Sequence, residues 1–302
     1  MKRVALWVLW SLGAVGLLAA WGVVLGFWTS GGLMQVAGWY LGMMLLPAAG
    51  AFGLLHSVLL GWWVPARRLL ASAVAVASMV SLVPILVLAG VWAPAYPADL
   101  ATTTPAATVR LPLDGPIVVG WGGDTVTTNY HAATPDQRWA YDLLVLPAGH
   151  GSADLHSYGC YGLDVLAPAA GTVALVHDGE PDQDPSTFVP NMEAPAGNHV
   201  ALKLDTGTYL LLAHLVPGSI AVAKGDAVAE GQVLGQCGNS GNTSEPHVHL
   251  HHVRQMPEQI GFGEGLPLYF RDHDGAPMPV GGIEADGDKP VFVGDRVQHQ
   301  GG

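Results

Sequence analysis

Three long apolar stretches fill the first third of the chain. These stretches are residues 4–28, 33–64 and 69–92, which are 25, 32 and 24 residues long and contain no charged side chain. A helix crosses the core of a bilayer with about 20 apolar residues, so each stretch is long enough to span. The first stretch is too long for the apolar region of a typical signal peptide, and two more follow it. The pattern predicts a three-helix transmembrane anchor over residues 1–92.

The pattern changes after residue 92. Residues 93–112 are rich in Pro, Ala and Thr and have no apolar period, which predicts a semi-extended linker. Residues 113–302 contain short apolar runs between Gly, Pro, Asn and Asp, which predicts a C-terminal all-β domain with a mostly antiparallel sheet. The acidic, proline-rich segment 178–197 predicts a long surface loop, of the kind that often borders a binding site. The predicted strands are 116–120, 171–177, 199–204, 209–215, 232–235 and 247–253.

The charged residues are divided unevenly along the chain. Residues 1–98 contain no acidic residue, and their four basic residues are the pairs Lys2-Arg3 and Arg67-Arg68. Short basic loops stay in the cytoplasm, so the N-terminus is expected there. Three spans then place the C-terminal domain on the extracytoplasmic side of the cytoplasmic membrane. Residues 99–302 contain 8 basic and 24 acidic residues, a net charge of −16 that argues against nucleic acid as a partner.

Histidines are concentrated in the predicted β domain. Twelve of the thirteen lie after residue 92, and four of these fall within residues 247–252. Residues two apart on a strand share a face, about 6.5–7 Å from each other. His247 and His249 could therefore face one metal ion together. A solvated His-rich strand has the same pattern, but here a tight Gly- and Asn-rich loop precedes it.

Several other chemistries are excluded by their motifs. The chain has no H-E-x-x-H, no G-x-S-x-G elbow around Ser240, no Walker A and no dinucleotide glycine motif. A cupin-type site would place a Glu four or five residues after the second His of the H-x-H motif, where this chain has Val253 and Arg254.

Residues 238–249, Gly-Asn-Ser-Gly-Asn-Thr-Ser-Glu-Pro-His-Val-His, resemble the last motif of the lysostaphin-type (LytM-type) zinc metallopeptidases, which are bacterial cell-wall endopeptidases. Further segments resemble other motifs of the family and follow one another in the order that the family has. They resemble the first metal motif, the strand–turn–strand after it, the central strands and the late hairpin. The resemblance covers roughly residues 116–255. The matching segments are 129–142, 162–173, 197–200, 212–215 and 225–235.

The resemblance implies roles for five residues. It makes His131, Asp142 and His249 the ligands of one zinc ion, and it makes His214 and His247 the catalytic histidines beside it. Two His and one carboxylate leave an open position on zinc, which is the arrangement of a catalytic site. Zinc acidifies a water molecule and polarises the scissile carbonyl, while an imidazole transfers protons near neutral pH. The sequence leaves open which of the two catalytic histidines is the general base.

The spacing of the first motif leaves alternatives. The family's commonest pattern is H-x-x-x-D, whereas ten residues separate His131 from Asp142, a spacing that resembles a longer branch of the family. A literal H-x-x-x-D occurs at His150 and Asp154. Cys160 and Asp164 stand where the commoner pattern has H-x-G-x-D. We favour the pair His131 and Asp142.

Two more histidines lie close to the motifs. His251 shares the face of His247 and His249 but lies one step further along the strand, so we expect no role for it in the site; a substrate-binding role or a place behind the ligands is the alternative. His199 lies on a predicted strand, and we expect it to be packed or solvated.

Together with the three apolar stretches, the resemblance implies a membrane-anchored zinc metalloendopeptidase that hydrolyses peptide bonds in peptidoglycan cross-links or stem peptides. The alternative is a catalytically inactive domain of the same fold that binds and activates another cell-wall hydrolase. Peptidoglycan peptide is the expected substrate, and the lipid bilayer is contacted through three spans.

The two cysteines, Cys160 and Cys237, both fall in the part predicted to lie outside the cytoplasm, where thiols tend to oxidise. In the fold that the resemblance implies, their segments approach the same region. We therefore expect a disulfide between them; the alternative is two separate buried thiols.

Overall fold

The computed structural model describes residues 2–63, 68–256, 261–287 and 289–301. The chain divides into two compact units, Met1–Pro94 and Ala95–Gly302. The first is helical and the second is built of strands.

The N-terminal unit contains three apolar helices, as predicted. In the described part of the chain, three helical segments are long and apolar enough to cross a membrane: Leu12–Thr29, Gly32–Leu59 and Arg68–Leu88. Large apolar side chains remain exposed along them, as expected of helices that face lipid. The helices are α1 Lys2–Thr29, α2 Gly32–Trp63, α3 Arg68–Ser81 and α4 Pro84–Leu88.

The third span is interrupted, which differs from the continuous apolar stretch in the sequence. α3 ends at Ser81, and the amides of Leu82 and Val83 bond to carbonyls three residues back. Pro84 has no N–H to donate and its ring disfavours a continuous helix, so the chain tightens there before α4 begins. α4 ends at Leu88, short of the predicted residue 92.

Small side chains let α2 and α3 approach closely. A Cβ added to Gly50 would lie 2.7 Å from the carbonyl oxygen of Ser78, and one added to Gly53 would lie 2.4 Å from Ser78 Oγ. Trp21 Nε1 on α1 donates a hydrogen bond of 2.8 Å to Ser81 Oγ on α3. Close backbone approach and polar contacts of this kind hold apolar helices together in lipid.

The C-terminal unit is an antiparallel β domain, as predicted. Its main sheet has eight strands among the described residues, in the order β14-β2-β3-β10-β7-β6-β5-β8, and every neighbouring pair in it is antiparallel. Three two-stranded sheets accompany it: β1 with β11, β4 with β9, and β12 with β13. The strands are β1 Ala107–Val109, β2 Pro116–Trp121, β3 Tyr141–Leu144, β4 Asp164–Leu166, β5 Gly171–His177, β6 Asn198–Lys203, β7 Tyr209–Leu215, β8 Ala227–Val228, β9 Val233–Gln236, β10 Val248–Val253, β11 Leu268–Phe270, β12 Ile283–Asp286, β13 Lys289–Phe292 and β14 Arg296–Gln298.

The two faces of the main sheet have different contents. Val248 and Leu250 of β10 point into the main hydrophobic core with Leu210 and Leu212 of β7. Because side chains alternate between faces, His249 and His251 of β10 point to the opposite face. A small apolar cluster of Leu175, Ala196, Ala201, Leu211 and Ala213 lies on that second face. The histidine-bearing face is therefore covered as well, and its histidines are buried.

Parts of the segment 93–112, which the sequence predicts to be a linker, contact the β domain in the structure. The Tyr96 side chain is 2% exposed, its amide donates to the carbonyl of Ala132, and Arg138 Nε donates to its own carbonyl. β1 pairs in parallel with β11, and Leu111 is fully buried in the core. A three-residue strand is too short to show an apolar period, which is why the sequence pattern did not reveal it.

The predicted disulfide between Cys160 and Cys237 is present and confirms that expectation. Both cysteines are fully buried, with their Cα atoms 5.8 Å apart. Cys160 precedes β4 and Cys237 follows β9, so the bond closes the end of the β4–β9 pair. Cys237 also forms an isolated bridge with Leu215 at the end of β7. The disulfide thus braces the loop that leads from β9 into β10.

Removing this disulfide should destabilise the β domain. The bond closes a loop between residues separated by 77 positions, for which the chain-entropy model gives roughly 4–5 kcal/mol. We expect the double variant Cys160→Ala, Cys237→Ala to unfold at a much lower urea concentration. Pulse proteolysis of the full chain in detergent measures this.

Wild-type chain treated with a reductant is the matched control and should unfold at the same urea concentration as the variant. Equal midpoints for the variant and the oxidised wild type would contradict the prediction.

Candidate metal centre

Two neighbouring strands place a carboxylate and an imidazole opposite each other. In the antiparallel pairing of β10 with β3, His249 lies directly across from Asp142. Paired residues in such strands have Cβ atoms about 4.5–5.5 Å apart. His249 Nδ1 is 2.8 Å from Asp142 Oδ1. Strand register therefore joins two residues that are 107 positions apart in the sequence.

A short 3-10 helix, Tyr130–Ala133, brings His131 to the same carboxylate. His131 Nε2 is 3.1 Å from Asp142 Oδ1. Asn129 caps the helix: its Oδ1 accepts the amide N–H of His131, and its Nδ2 donates to the carbonyls of Gly123 and Ala140. Asn129 is fully buried, and an Asn that bonds the backbone two residues on is a common way to fix a turn.

The three side chains form a set that could hold a metal ion. His131, Asp142 and His249 each offer one ligand atom, and these atoms all lie within 4.8 Å of one another. Their side chains are almost completely buried. Two imidazole nitrogens and one carboxylate oxygen are donors that suit zinc and related transition metals.

The charges in the centre favour metal binding. Burial raises the pKa of Asp142, but His247 and His131 beside it outweigh burial and hold that pKa well below its usual range. Burial lowers the pKa of His131 to about 3. At neutral pH Asp142 is therefore ionised and His131 is neutral, the protonation states that a metal requires of its ligands.

His214 and His247 lie beside this group, with ring centroids 4.8 Å apart. His247 Nδ1 donates to the carbonyl of Glu245 and His214 Nδ1 donates to the carbonyl of Ser240, and both hydrogen bonds are 2.8 Å long. Main-chain carbonyls thus hold the Nδ1–H tautomer of both rings, and Nε2 of each lies on the far side of the ring. His247 Nε2 is 3.5 Å from Asp142 Oδ1.

The two flanking histidines differ in their affinity for a proton. Burial lowers the pKa of His214 well below its usual value, and the neighbouring His247 lowers it further. Burial also lowers the pKa of His247, but Asp142 outweighs burial and raises it. His214 is consequently neutral, while His247 has a higher affinity for a proton.

His214 has an unusual backbone conformation. Its φ is 66°, in the left-handed region that residues other than glycine seldom adopt. Its amide donates to the carbonyl of Ala196, and its own carbonyl accepts from the amide of Gly238. Two loops therefore hold His214 in this conformation, and such outliers cluster at functional sites.

The loop between β9 and β10 packs tightly against the start of β6. A Cβ added to Gly241 would lie 2.3 Å from the amide nitrogen of Gly197. Ser240 Oγ accepts from the amide of Asn198. The long loop over 178–197 also reaches this region, because Asp182 Oδ1 accepts from the amide of Asn239. The predicted surface loop therefore borders the centre.

A cavity of about 70 Å³ opens beside two of the three donor residues, His131 and His249. His131, His249 and His214 line one part of it, and small or apolar residues such as Ala196 and Ala213 line another. His251 also contributes to the wall. A substrate group that enters this cavity lies next to both the donor set and His214.

The two alternative ligand pairs lie elsewhere. His150 stacks on Tyr158, while Asp154 caps a short 3-10 helix by accepting the amide of His156. Cys160 is bonded to Cys237 and has no free thiolate, and Asp164 is exposed at the start of β4. His199 on β6 is half-buried and stacks on His177, in line with the expected packed residue.

Two features of the centre were not found from the sequence. Asn129 lies in the matching segment 129–142 but received no role from it, although an Asn that bonds the backbone two residues on is a usable turn signal. The carbonyls of Ser240 and Glu245 carry no sequence signal, because any residue supplies a carbonyl. Their contribution depends on the loop conformation.

The comparisons with known proteins find a family that matches part of the β domain. A model described as peptidase family M23 matches residues 150–260. That range contains His214, His247 and His249, whereas His131 and Asp142 precede it. No curated protein matches the chain.

Several solved structures are similar at low sequence identity. A mutant catalytic domain of the prophage-encoded M23 protein EnpA from Enterococcus faecalis is 19% identical over 53% of this chain and 94% of that chain, with a TM-score of 0.33. The catalytic domain of lysostaphin from Staphylococcus simulans is 16% identical over 49% of this chain and 86% of that chain, with a TM-score of 0.31. A zinc-containing peptidase from Vibrio cholerae is 18% identical over 53% of this chain and 39% of that chain, with a TM-score of 0.32.

The β domain has the antiparallel fold and the histidine-bearing strands that the family resemblance implied, and the family model matches the segment that contains three of the five implied site residues. After its apolar helices in the sequence, the chain therefore carries a domain of peptidase family M23, the family of the lysostaphin-type and LytM-type peptidases.

Proposed function

We propose that this chain is a membrane-anchored zinc metalloendopeptidase that cleaves peptide bonds in peptidoglycan cross-links or stem peptides. The observation that carries the proposal is the convergence of His131, Asp142 and His249 on one buried point, with His214 and His247 beside it. A buried carboxylate approached by three imidazoles has the donor set of a metal site, whereas a structural ion pair needs only one partner.

The residues fit one zinc ion. Asp142 Oδ1 is within 3.5 Å of a ring nitrogen of each of His131, His247 and His249. In our proposal His131, Asp142 and His249 are the ligands, which leaves a position open for water or substrate. When bound there, zinc supplies a Lewis acid that promotes the ionisation of water and polarises a peptide carbonyl.

The remaining steps belong to His214 and His247. The carbonyls of Ser240 and Glu245 hold a proton on Nδ1 of each ring, so proton exchange with the reacting groups takes place at Nε2. One ring removes a proton from the attacking water, and the other hydrogen-bonds the carbonyl oxygen as negative charge develops on it. The unequal proton affinity of the two rings suits two different roles.

The substrate class rests on the family. Its members include cell-wall peptidases, and peptidoglycan lies outside the cytoplasmic membrane, where we place the domain. The small cavity with Ala196 and Ala213 in its wall favours a peptide with small side chains near the cleaved bond.

Replacing one proposed ligand should empty the centre. We expect His131→Ala, Asp142→Ala and His249→Ala each to lose stoichiometric zinc, because each removes one of three protein donors. Metal analysis of the full chain in detergent measures the content, and the wild type should hold one zinc ion per chain.

His150→Ala with Asp154→Ala is the matched control and should retain zinc. Loss of zinc in this control, with retention in His131→Ala, would contradict the ligand assignment.

Replacing either flanking histidine should abolish most peptide hydrolysis without affecting zinc binding. We expect His214→Ala and His247→Ala to keep zinc and to lower the rate of peptide hydrolysis by about 10²–10⁴-fold, the usual contribution of a general acid or base. Release of soluble fragments from purified peptidoglycan gives the rate, and a chelator should abolish it in the wild type.

An inactive activator would give the opposite result. A wild-type chain without metal that releases no fragments, yet accelerates another wall hydrolase, would establish that alternative and overturn ours.

The orientation in the membrane is tested by fusions. We expect a phosphatase that folds only in an oxidising compartment to be active when fused after Pro94 and inactive when fused after Arg68. The reason is that the basic pair at 67–68 should stay in the cytoplasm. Activity after Arg68 and none after Pro94 would reverse the topology.

A further inference from the structure

His251 contacts one of the proposed ligands from behind. It lies two residues beyond His249 on β10, on the same face of the sheet, and its side chain is 1% exposed. Its Nδ1 is 2.9 Å from Nε2 of His249. The two rings are nearly perpendicular, at 75°, which suits a hydrogen bond between ring nitrogens better than stacking.

The proposed ligation of the metal by His249 sets the direction of this hydrogen bond. His249 directs Nδ1 towards Asp142, and a ring nitrogen that binds a metal carries no proton. The proton of His249 is then on Nε2 and is donated to His251. Nδ1 of His251 must be the acceptor, so the proton of His251 is on its own Nε2.

No other contact of His251 in the described part of the chain explains its burial. Its Nε2 has no hydrogen-bond partner there, so its single hydrogen bond is the one to His249. Leu211 lies directly across from it on β7, and its side chain cannot accept a hydrogen bond. Without His251, the buried Nε2–H of His249 would face an apolar side chain with no acceptor.

The next residue, His252, has a different environment. It lies on the opposite face, and both of its ring nitrogens are engaged, Nε2 with Thr208 Oγ1 at 2.7 Å and Nδ1 with the carbonyl of Pro267 at 3.1 Å. It touches none of the proposed ligands. His252 is therefore a buried structural histidine, and it provides a matched comparison.

We propose that His251 is a positioning residue for the metal centre: by accepting the Nε2–H of His249, it holds that ring in the tautomer and orientation that present Nδ1 to the ion. This inference rests on the proposed function, since it takes His249 as a ligand. Hydrogen-bond partners behind a ligating histidine typically contribute 10–100-fold to metal affinity. His251 is such a partner contributed by the same strand as the ligand.

Three variants of the full chain in detergent test the role. His251→Asn keeps an acceptor oxygen near the position of Nδ1, His251→Leu removes the acceptor at similar volume, and His252→Leu is the matched control. Competition with a chromogenic chelator measures zinc affinity, and thermal unfolding of the metal-free proteins reports folding. The visible spectrum of the cobalt-substituted proteins reports ligand geometry.

We expect His251→Leu to weaken zinc binding about 10–100-fold and to change the cobalt spectrum, with His251→Asn restoring both towards wild type. His252→Leu should lower thermal stability and leave zinc affinity unchanged. Wild-type affinity in His251→Leu, or equal losses in the Leu and Asn variants, would overturn the role of His251 while leaving the peptidase proposal intact. Failure of the wild-type chain to bind zinc would overturn both.

Discussion

The pairing of β10 with the strands on either side of it is the constraint on which the centre depends. β10 lies between β3 and β7, and its register sets His249 across from Asp142 on one side and across from Ala213 on the other. A slip of one residue would turn Val248 and Leu250 onto the histidine-bearing face and His249 into the main core, because side chains alternate between the faces. The same hydrogen bonds therefore determine both core packing and site geometry.

Around this strand, a loop supplies hydrogen-bond partners to two of the buried imidazoles. An unpaired polar group is costly in a buried site, and the loop before β10 provides two carbonyls, from Ser240 and Glu245, that accept Nδ1–H of His214 and His247. The disulfide at Cys237 holds the start of that loop, next to the end of β7. Loop conformation, tautomer and strand register are thus coupled.

The two units bury their apolar residues in different ways. The helices of the N-terminal unit keep apolar side chains such as Leu18 and Met44 exposed and pack through Gly50, Gly53 and Ser78, as helices do in lipid. The β domain buries its apolar residues and carries almost all the charge of the chain. This division explains how one sequence combines a positive mean hydropathy with a net charge of −12.

The sequence by itself determined the features that depend on local pattern: three apolar helices, an antiparallel β domain whose strands 171–177 and 209–215 agree with β5 and β7, and the histidine-rich strand β10. It did not reveal β3, which carries Asp142, or β1, because runs of three or four residues are too short to show a period. The family resemblance implied that His131, Asp142 and His249 meet, and the tertiary structure brings them together. Only the tertiary structure decided that His251 lies behind His249 and that Tyr96 packs on the domain. These contacts either join residues that are distant in sequence or depend on main-chain carbonyls. Strand register and loop conformation determine both kinds of contact, and they emerge only when the whole core packs.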